Sequence, residues 1–206
     1  MFPTPAAMRC ACTFAAVFLC AAAAGVAAMP SPAHAETTTI RQVPGQAEIG
    51  PLVINYHRLS PQIATGGLLQ SGAAPRLKAL GFNTIVDLRG PEEGTAAEKQ
   101  AVEAAGLRYV NIPVTEGLPS EAQLAAFGRI VEDSANAPIL VHCVSANRVG
   151  AMWALHRTRQ NIPLATAIAE GRAIGMKSTR EADVRKRLRV SPAGVAADTR
   201  CEPGRC

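Results

Sequence analysis

A chain of 206 residues with 48% apolar residues, 4% aromatics and a formal charge of +5 is long enough for one domain with a sizeable core. The mild basicity suits a small anionic ligand. It excludes a nucleic-acid protein, because aromatics are few and the one dense basic run, residues 180–189, alternates with Glu181, Asp183 and apolar positions as a solvated helix face does.

Residues 1–35 contain no Asp or Glu, carry Arg9 ahead of an apolar run over 11–29, and end in Pro30, Pro32 and Ala33-His-Ala35. That is the pattern of a secretory signal with a small-residue cleavage site. The run approaches the length of a spanning helix, but the prolines ahead of Ala33 favour cleavage. The mature chain is therefore expected to begin near Glu36, to be periplasmic or secreted, and not to span a membrane. Cys10, Cys12 and Cys20 leave with the signal. In an oxidising compartment Cys201 and Cys206, close together in the tail at 193–206, can pair with each other and leave Cys143 as a free thiol.

Residues 36–50 read as a polar, flexible lead-in, and 51–192 as the folded domain. Short strands are expected at 52–55 and 62–65, followed by a Gly66-Gly67 breaker. A helix over 71–80 stops at Gly81, a strand over 83–88 is broken by Arg89-Gly90-Pro91, and a helix over 95–105 ends at Gly106. A strand over 107–114 leads to Ser120-Glu-Ala-Gln123, a capping box that starts a helix through Glu132. The most apolar strand, 139–142, precedes helices over 148–159, 164–174 and 178–190. Alternating helices and apolar strands predict an α/β fold, a central mostly parallel sheet flanked by helices. Ligands bind such sheets outside the carboxyl ends of the strands, where Asp87, Arg89, Glu116 and Cys143 fall.

The segment from Ile139 through His142, Cys143, Val144, Ser145, Ala146 and Asn147 to Arg148 runs an apolar strand into a cysteine and then into an arginine that opens a helix. Backbone N–H groups of such a loop and helix start can bind a tetrahedral anion and favour a neighbouring thiolate, and a guanidinium adds a two-pronged hydrogen bond. The bland alternative is a packed strand with an inert cysteine. No metal site is expected, since His57 and His156 lack Cys or acidic partners at ligand spacing.

In order along the chain, Asn55-Tyr-His-Arg58, Ala64-Thr-Gly66-Gly67, Gly81 through Arg89, Gly106 through Val114 and the His142-Cys143 loop resemble bacterial phosphatase-like domains related to the dual-specificity protein tyrosine phosphatases, including the beta-lactamase hydrolase-like type. The resemblance covers roughly residues 54–175. It implies a Cys-based phosphatase fold and a phosphomonoester hydrolase without cofactor or metal, acting on a phosphorylated protein or small phosphate ester. It further implies Cys143 as nucleophile, Arg148 as phosphoryl clamp, His142 as support from the strand end, and the N–H groups of Val144, Ser145, Ala146, Asn147 and Arg148 as the phosphate cradle. Glu116 is the first candidate for proton donor and Asp87 the second. Three features depart from the commoner pattern: four rather than five residues separate Cys143 from Arg148, Ala146 stands where Gly is usual, and Val149 where a hydroxyl is common. A non-catalytic anion binder and a rhodanese-like sulfurtransferase therefore remain as alternatives.

Overall fold

The structure is a computed structural model that describes residues 42–115 and 117–190. The secretory signal, the pairing of Cys201 with Cys206 and the side chain of Glu116 fall outside the described residues. No helix among the described residues is long and apolar enough to cross a membrane.

Five strands form one sheet in the order β1-β2-β5-β3-β4, comprising β1 (His57–Arg58), β2 (Ile63–Gly66), β3 (Thr84–Asp87), β4 (Arg108–Asn111) and β5 (Ile139–His142). All neighbours are parallel except the β1–β2 edge. The register aligns Gly66, His142, Asp87 and Asn111 in one row across the carboxyl end. Residues just beyond that row therefore share one rim, and Cys143 is the first of them on the central strand.

Alternation along the strands divides the core into two layers. Val86, Ile139, Val141 and Cys143 face α4 (Glu121–Val131), α5 (Asn147–Arg159), α6 (Leu164–Ile174) and α7 (Ser178–Val190). Ala64, Ile85 and Leu140 face α1 (Gln46–Ile49), α2 (Ala73–Ala79) and α3 (Thr95–Ala104). A fully buried side chain such as Phe127 or Leu140 contributes about 2 kcal/mol relative to exposure. Gly150 on α5 and Gly171 on α6 let the two helices touch: a Cβ at Gly150 would lie 2.5 Å from the Gly171 carbonyl oxygen, and one at Gly171 would lie 2.7 Å from that of Gly150.

The fold class, the central strands and the long helices match the sequence expectation, although β4 ends at Asn111 rather than at 114, and two further local expectations do not hold. Residues 52–55 form turns rather than a strand, because Asn55 adopts a left-handed φ of 50° that ends the extended run, and Val53 pairs only in an isolated bridge with Leu69. The end of the lead-in is packed rather than flexible: Val43 and Ile49 are buried, and Val43 N–H donates to the Pro61 carbonyl.

Candidate active site

Cys143 follows the central strand, is buried, and donates its backbone N–H to the Gly66 carbonyl at 3.3 Å. The chain then turns at Ala146, whose φ of 65° and ψ of −5° are left-handed, and enters α5 with the Ala146 carbonyl accepting from Gly150 N–H. Such a conformation gathers successive N–H groups into an anion-binding concavity. For a residue with a Cβ it costs about 1–2 kcal/mol. The loop is braced from outside: Leu68 N–H donates to the Val144 carbonyl, Asn55 Nδ2 to the Ser145 carbonyl, and Lys177 N–H to Asn147 Oδ1 at 2.8 Å. A Cβ on Gly67 would lie 2.7 Å from the Val144 oxygen, so glycine there lets the second strand's end approach the loop. The N–H groups of Val144, Ser145, Asn147 and Arg148 meet no acceptor among the described residues. All five cradle residues named from sequence thus lie in the short turn after β5 and the first two positions of α5.

Arg148 stands at the start of α5 with its end face gripped by Glu93, Nη2 at 2.5 Å from Oε1 and Nη1 at 2.7 Å from Oε2. Nη1 also reaches the carbonyls of Val114 and Leu88. Nε–H and one Nη2 hydrogen have no oxygen acceptor among the described residues. Glu93 is placed by the turn Pro91–Glu93, where Gly90 N–H donates to its Oε2. The hydrogen bonds from Arg148 hold the Glu93 carboxyl below its ordinary range against a smaller effect of burial, and those bonds in turn raise Arg148. The sequence reading missed Glu93, which carries no local signal beyond lying in an acidic turn after a strand.

His142 and Asp87 lie beneath the cradle and not in it. Asp87 is fully buried and accepts from Arg89 Nε, Arg89 Nη2, Arg89 N–H and the Tyr109 hydroxyl. Burial alone would raise its carboxyl, but the hydrogen bonds from Arg89 and Tyr109 outweigh burial and hold it below the ordinary value. A buried carboxylate with four donors and a depressed proton affinity cannot serve as proton donor to a leaving group. Asp87 is therefore structural, which corrects the reserve assignment from sequence. The His142 ring lies 2.8 Å from Glu98 Oε1 and 3.7 Å from Asp87 Oδ1, without the alignment of a proper hydrogen bond, and Nδ1 has no partner. The ring thus lies in a buried polar cluster under the strand end. Asp87, Glu98 and His142 have the proximity of a cation site. Arg89 Nη2 already sits 2.7 Å from Asp87 and 2.8 Å from Glu98, so a guanidinium bridges the two carboxylates of that cluster.

Val149 is fully buried in the layer formed with α6 and α7, and so contributes packing where a hydroxyl is usual. Two further basic contacts tie α7 to the segment before α4. The Arg180 guanidinium donates to the Gly117 carbonyl, and Arg187 donates to the Pro119 carbonyl and pairs with Glu121. A cleft of about 510 Å³, lined by Gly117, Leu118, Asp183, Lys186 and Arg187, lies further along α7.

Comparison with known proteins agrees with this geometry. The family described as "DSP-PTPase phosphatase fused to NAD+ Kinase" matches residues 56–188. The beta-lactamase hydrolase-like protein of Agrobacterium fabrum is 30% identical over 103 residues, 48% of this chain and 24% of that protein, so the chain spans about a quarter of that relative's length. Among solved structures, the core catalytic domain of the PP-IP phosphatase SIW14 of S. cerevisiae superposes with a TM-score of 0.55 at 20% identity, over 65% of this chain and 85% of that one. P. aeruginosa TpbA, solved in complex with phosphotyrosine, superposes with a TM-score of 0.54 at 19% identity, over 70% and 92%. These neighbours share the Cys-based phosphatase fold.

Proposed function

Because the chain belongs to the dual-specificity phosphatase family whose members include domains fused to NAD+ kinase, we propose that it is an exported phosphomonoester hydrolase working through a cysteinyl phosphate on Cys143. The observation that carries the proposal is a buried cysteine at the end of the central strand, followed by a turn of N–H groups that no described oxygen satisfies and by Arg148 with N–H groups to spare. Catalysis of phosphoryl transfer is chiefly positioning and charge neutralisation, which N–H groups and a guanidinium supply. The Cys143 sulfur attacks phosphorus, the S–P bond forms and the P–O ester bond breaks. The leaving oxygen takes a proton from a carboxylic acid. Water then attacks phosphorus, the S–P bond breaks with its electron pair returning to sulfur, the carboxylate accepts the water proton, and inorganic phosphate is released.

Glu116 is the proposed acid. The residues on either side of its short loop support this: the Val114 carbonyl meets Arg148, and the Gly117 carbonyl meets Arg180. Glu116→Gln is expected to slow alkyl phosphates about a hundredfold or more while leaving activated aryl phosphates within a few-fold, since a good leaving group needs no proton. Equal losses for both classes, measured by steady-state kinetics, would remove Glu116 from the role. The substrate class is a phosphorylated protein or a small phosphate ester. TpbA was solved with phosphotyrosine and SIW14 is described as acting on PP-IP, which brackets the two kinds.

Export is proposed on the leader at 1–35 alone. N-terminal sequencing of protein recovered outside the cytoplasm should begin near Glu36, and an intact Met1 in the membrane fraction would refute cleavage.

The second reading, a binder that retains phosphate without hydrolysing it, is favoured by the left-handed Ala146 and the buried Val149. A purified chain that binds phosphate yet turns over neither aryl nor alkyl esters would select it.

A further inference from the structure

We propose that Arg180 is the second cation of the phosphate site, an anion-binding residue that takes oxygens of the same phosphoryl group as Arg148; the inference rests on the phosphatase reading above. The argument begins with charge. Arg148 is paired at 2.5 and 2.7 Å with Glu93, so the two together contribute no net charge to the cradle. A phosphate monoester near neutral pH carries close to two negative charges, and an attacking thiolate adds a third. Backbone N–H groups and the unused N–H groups of Arg148 would have to offset them with no net positive charge.

Geometry places Arg180 where a second positive charge is wanted. Its Nη1 donates to the Gly117 carbonyl, and Arg148 Nη1 donates to the Val114 carbonyl of the same strand exit. Those carbonyls are three residues apart, a separation that even extended chain cannot stretch beyond roughly 11 Å. The start of α7 is pinned to the cradle independently: Lys177 N–H donates to Asn147 Oδ1, and a Cβ on Gly175 would lie 3.2 Å from that of Ala146. The bond to Gly117 uses one of five N–H donors, and the others remain for an anion.

Arg180 differs from the arginines whose guanidinium is already held by a carboxylate. Arg89, Arg148, Arg157, Arg172, Arg185 and Arg187 each pair with a carboxylate. Arg180 has no ion pair among the described residues, although it is partly buried. Burial lowers its guanidinium from the ordinary value and Arg148 lowers it further, while Cys143 and Asp183 act in the opposite sense. A guanidinium partly withdrawn from water with no carboxylate partner among the described residues is an arrangement that an arriving anion relieves.

Tungstate, a tetrahedral oxyanion that needs no turnover, tests the assignment by titration calorimetry on the purified chain. Arg180→Gln keeps an N–H donor for Gly117 but no charge, and should weaken tungstate about tenfold or more, the loss of a charge-assisted hydrogen bond. Arg180→Lys keeps the charge and should stay within about threefold of the parent, with KM for an aryl phosphate following the same order. Unchanged thermal midpoints in both variants establish that folding is intact. Arg180→Gln binding as tightly as the parent overturns the proposal, and so does Arg180→Lys binding as weakly as Arg180→Gln, because geometry rather than charge would then decide. A parent chain that takes up no tungstate at millimolar concentration overturns it together with the phosphatase reading. A parent chain that binds tungstate in the expected order but hydrolyses no ester sinks the hydrolase reading and leaves the role of Arg180 standing.

Discussion

Replacing Cys143 by Ser is expected to abolish hydrolysis of an aryl phosphate, by at least about a thousandfold in kcat, because a hydroxyl at neutral pH is a far weaker nucleophile than a thiolate and the two-step route has no other entry. The substitution shortens a buried side chain by little, and the backbone bond from residue 143 to Gly66 is independent of the side chain. Tungstate affinity in Cys143→Ser should therefore survive while turnover is lost, and calorimetry beside steady-state kinetics checks both on one sample. A variant that keeps more than about a hundredth of the parent rate would mean that another nucleophile attacks phosphorus. Transfer of sulfur from thiosulfate to cyanide by the parent, with esters untouched, would replace the phosphatase reading by the sulfurtransferase one.

Arg148→Lys is expected to cost about a hundredfold or more in kcat even though the formal charge is unchanged. The guanidinium does two things at once: its Nη1 and Nη2 end is held by Glu93 and by the Val114 carbonyl, and the remaining N–H groups are available to the phosphoryl oxygens. A lysine ammonium is a single tetrahedral donor on a flexible stem. It can satisfy Glu93 or the substrate, but it cannot hold a fixed planar geometry between them. The loss should fall on kcat more than on KM, because the planar fork matches the equatorial oxygens best when charge has spread over them. A variant with parent-like kcat and raised KM would show that Arg148 contributes ground-state binding alone.

Much of this site was legible in the sequence because it is local. The strand over 139–142, the cysteine after it and the helix that opens at Arg148 are contiguous, and apolar runs ended by Gly or Pro located the neighbouring strands. The left-handed residue was also readable, since Ala146 stands at a position where glycine is usual, and its φ is indeed positive. What escaped depends on distance along the chain. Glu93 meets Arg148 across 55 positions, and Arg180 meets Gly117 across 63. A lone acid in a turn and a lone base in an amphipathic helix look like solvated surface until the fold brings them together. Asp87 was misjudged for the opposite reason. Its place at a strand end was right, but the row it shares with His142 and Asn111 turns its side chain into a buried cluster with Arg89 and Tyr109, and nothing in the local sequence distinguishes that from an orientation toward substrate. The missed helix at Gln46–Ile49 is short and polar, and only Ile49 marks it as part of the core.

The contact between Gly150 and Gly171 has a mechanical meaning. Each glycine leaves just enough room for the other helix's carbonyl, so α5 and α6 are keyed like a tongue in a slot and neither can slide by a turn without driving a side chain into backbone. The helix that aims Arg148 is thus a fixed floor. Any rearrangement around the cradle must therefore be sought in the segments that rim it, above a floor that two glycines hold in place.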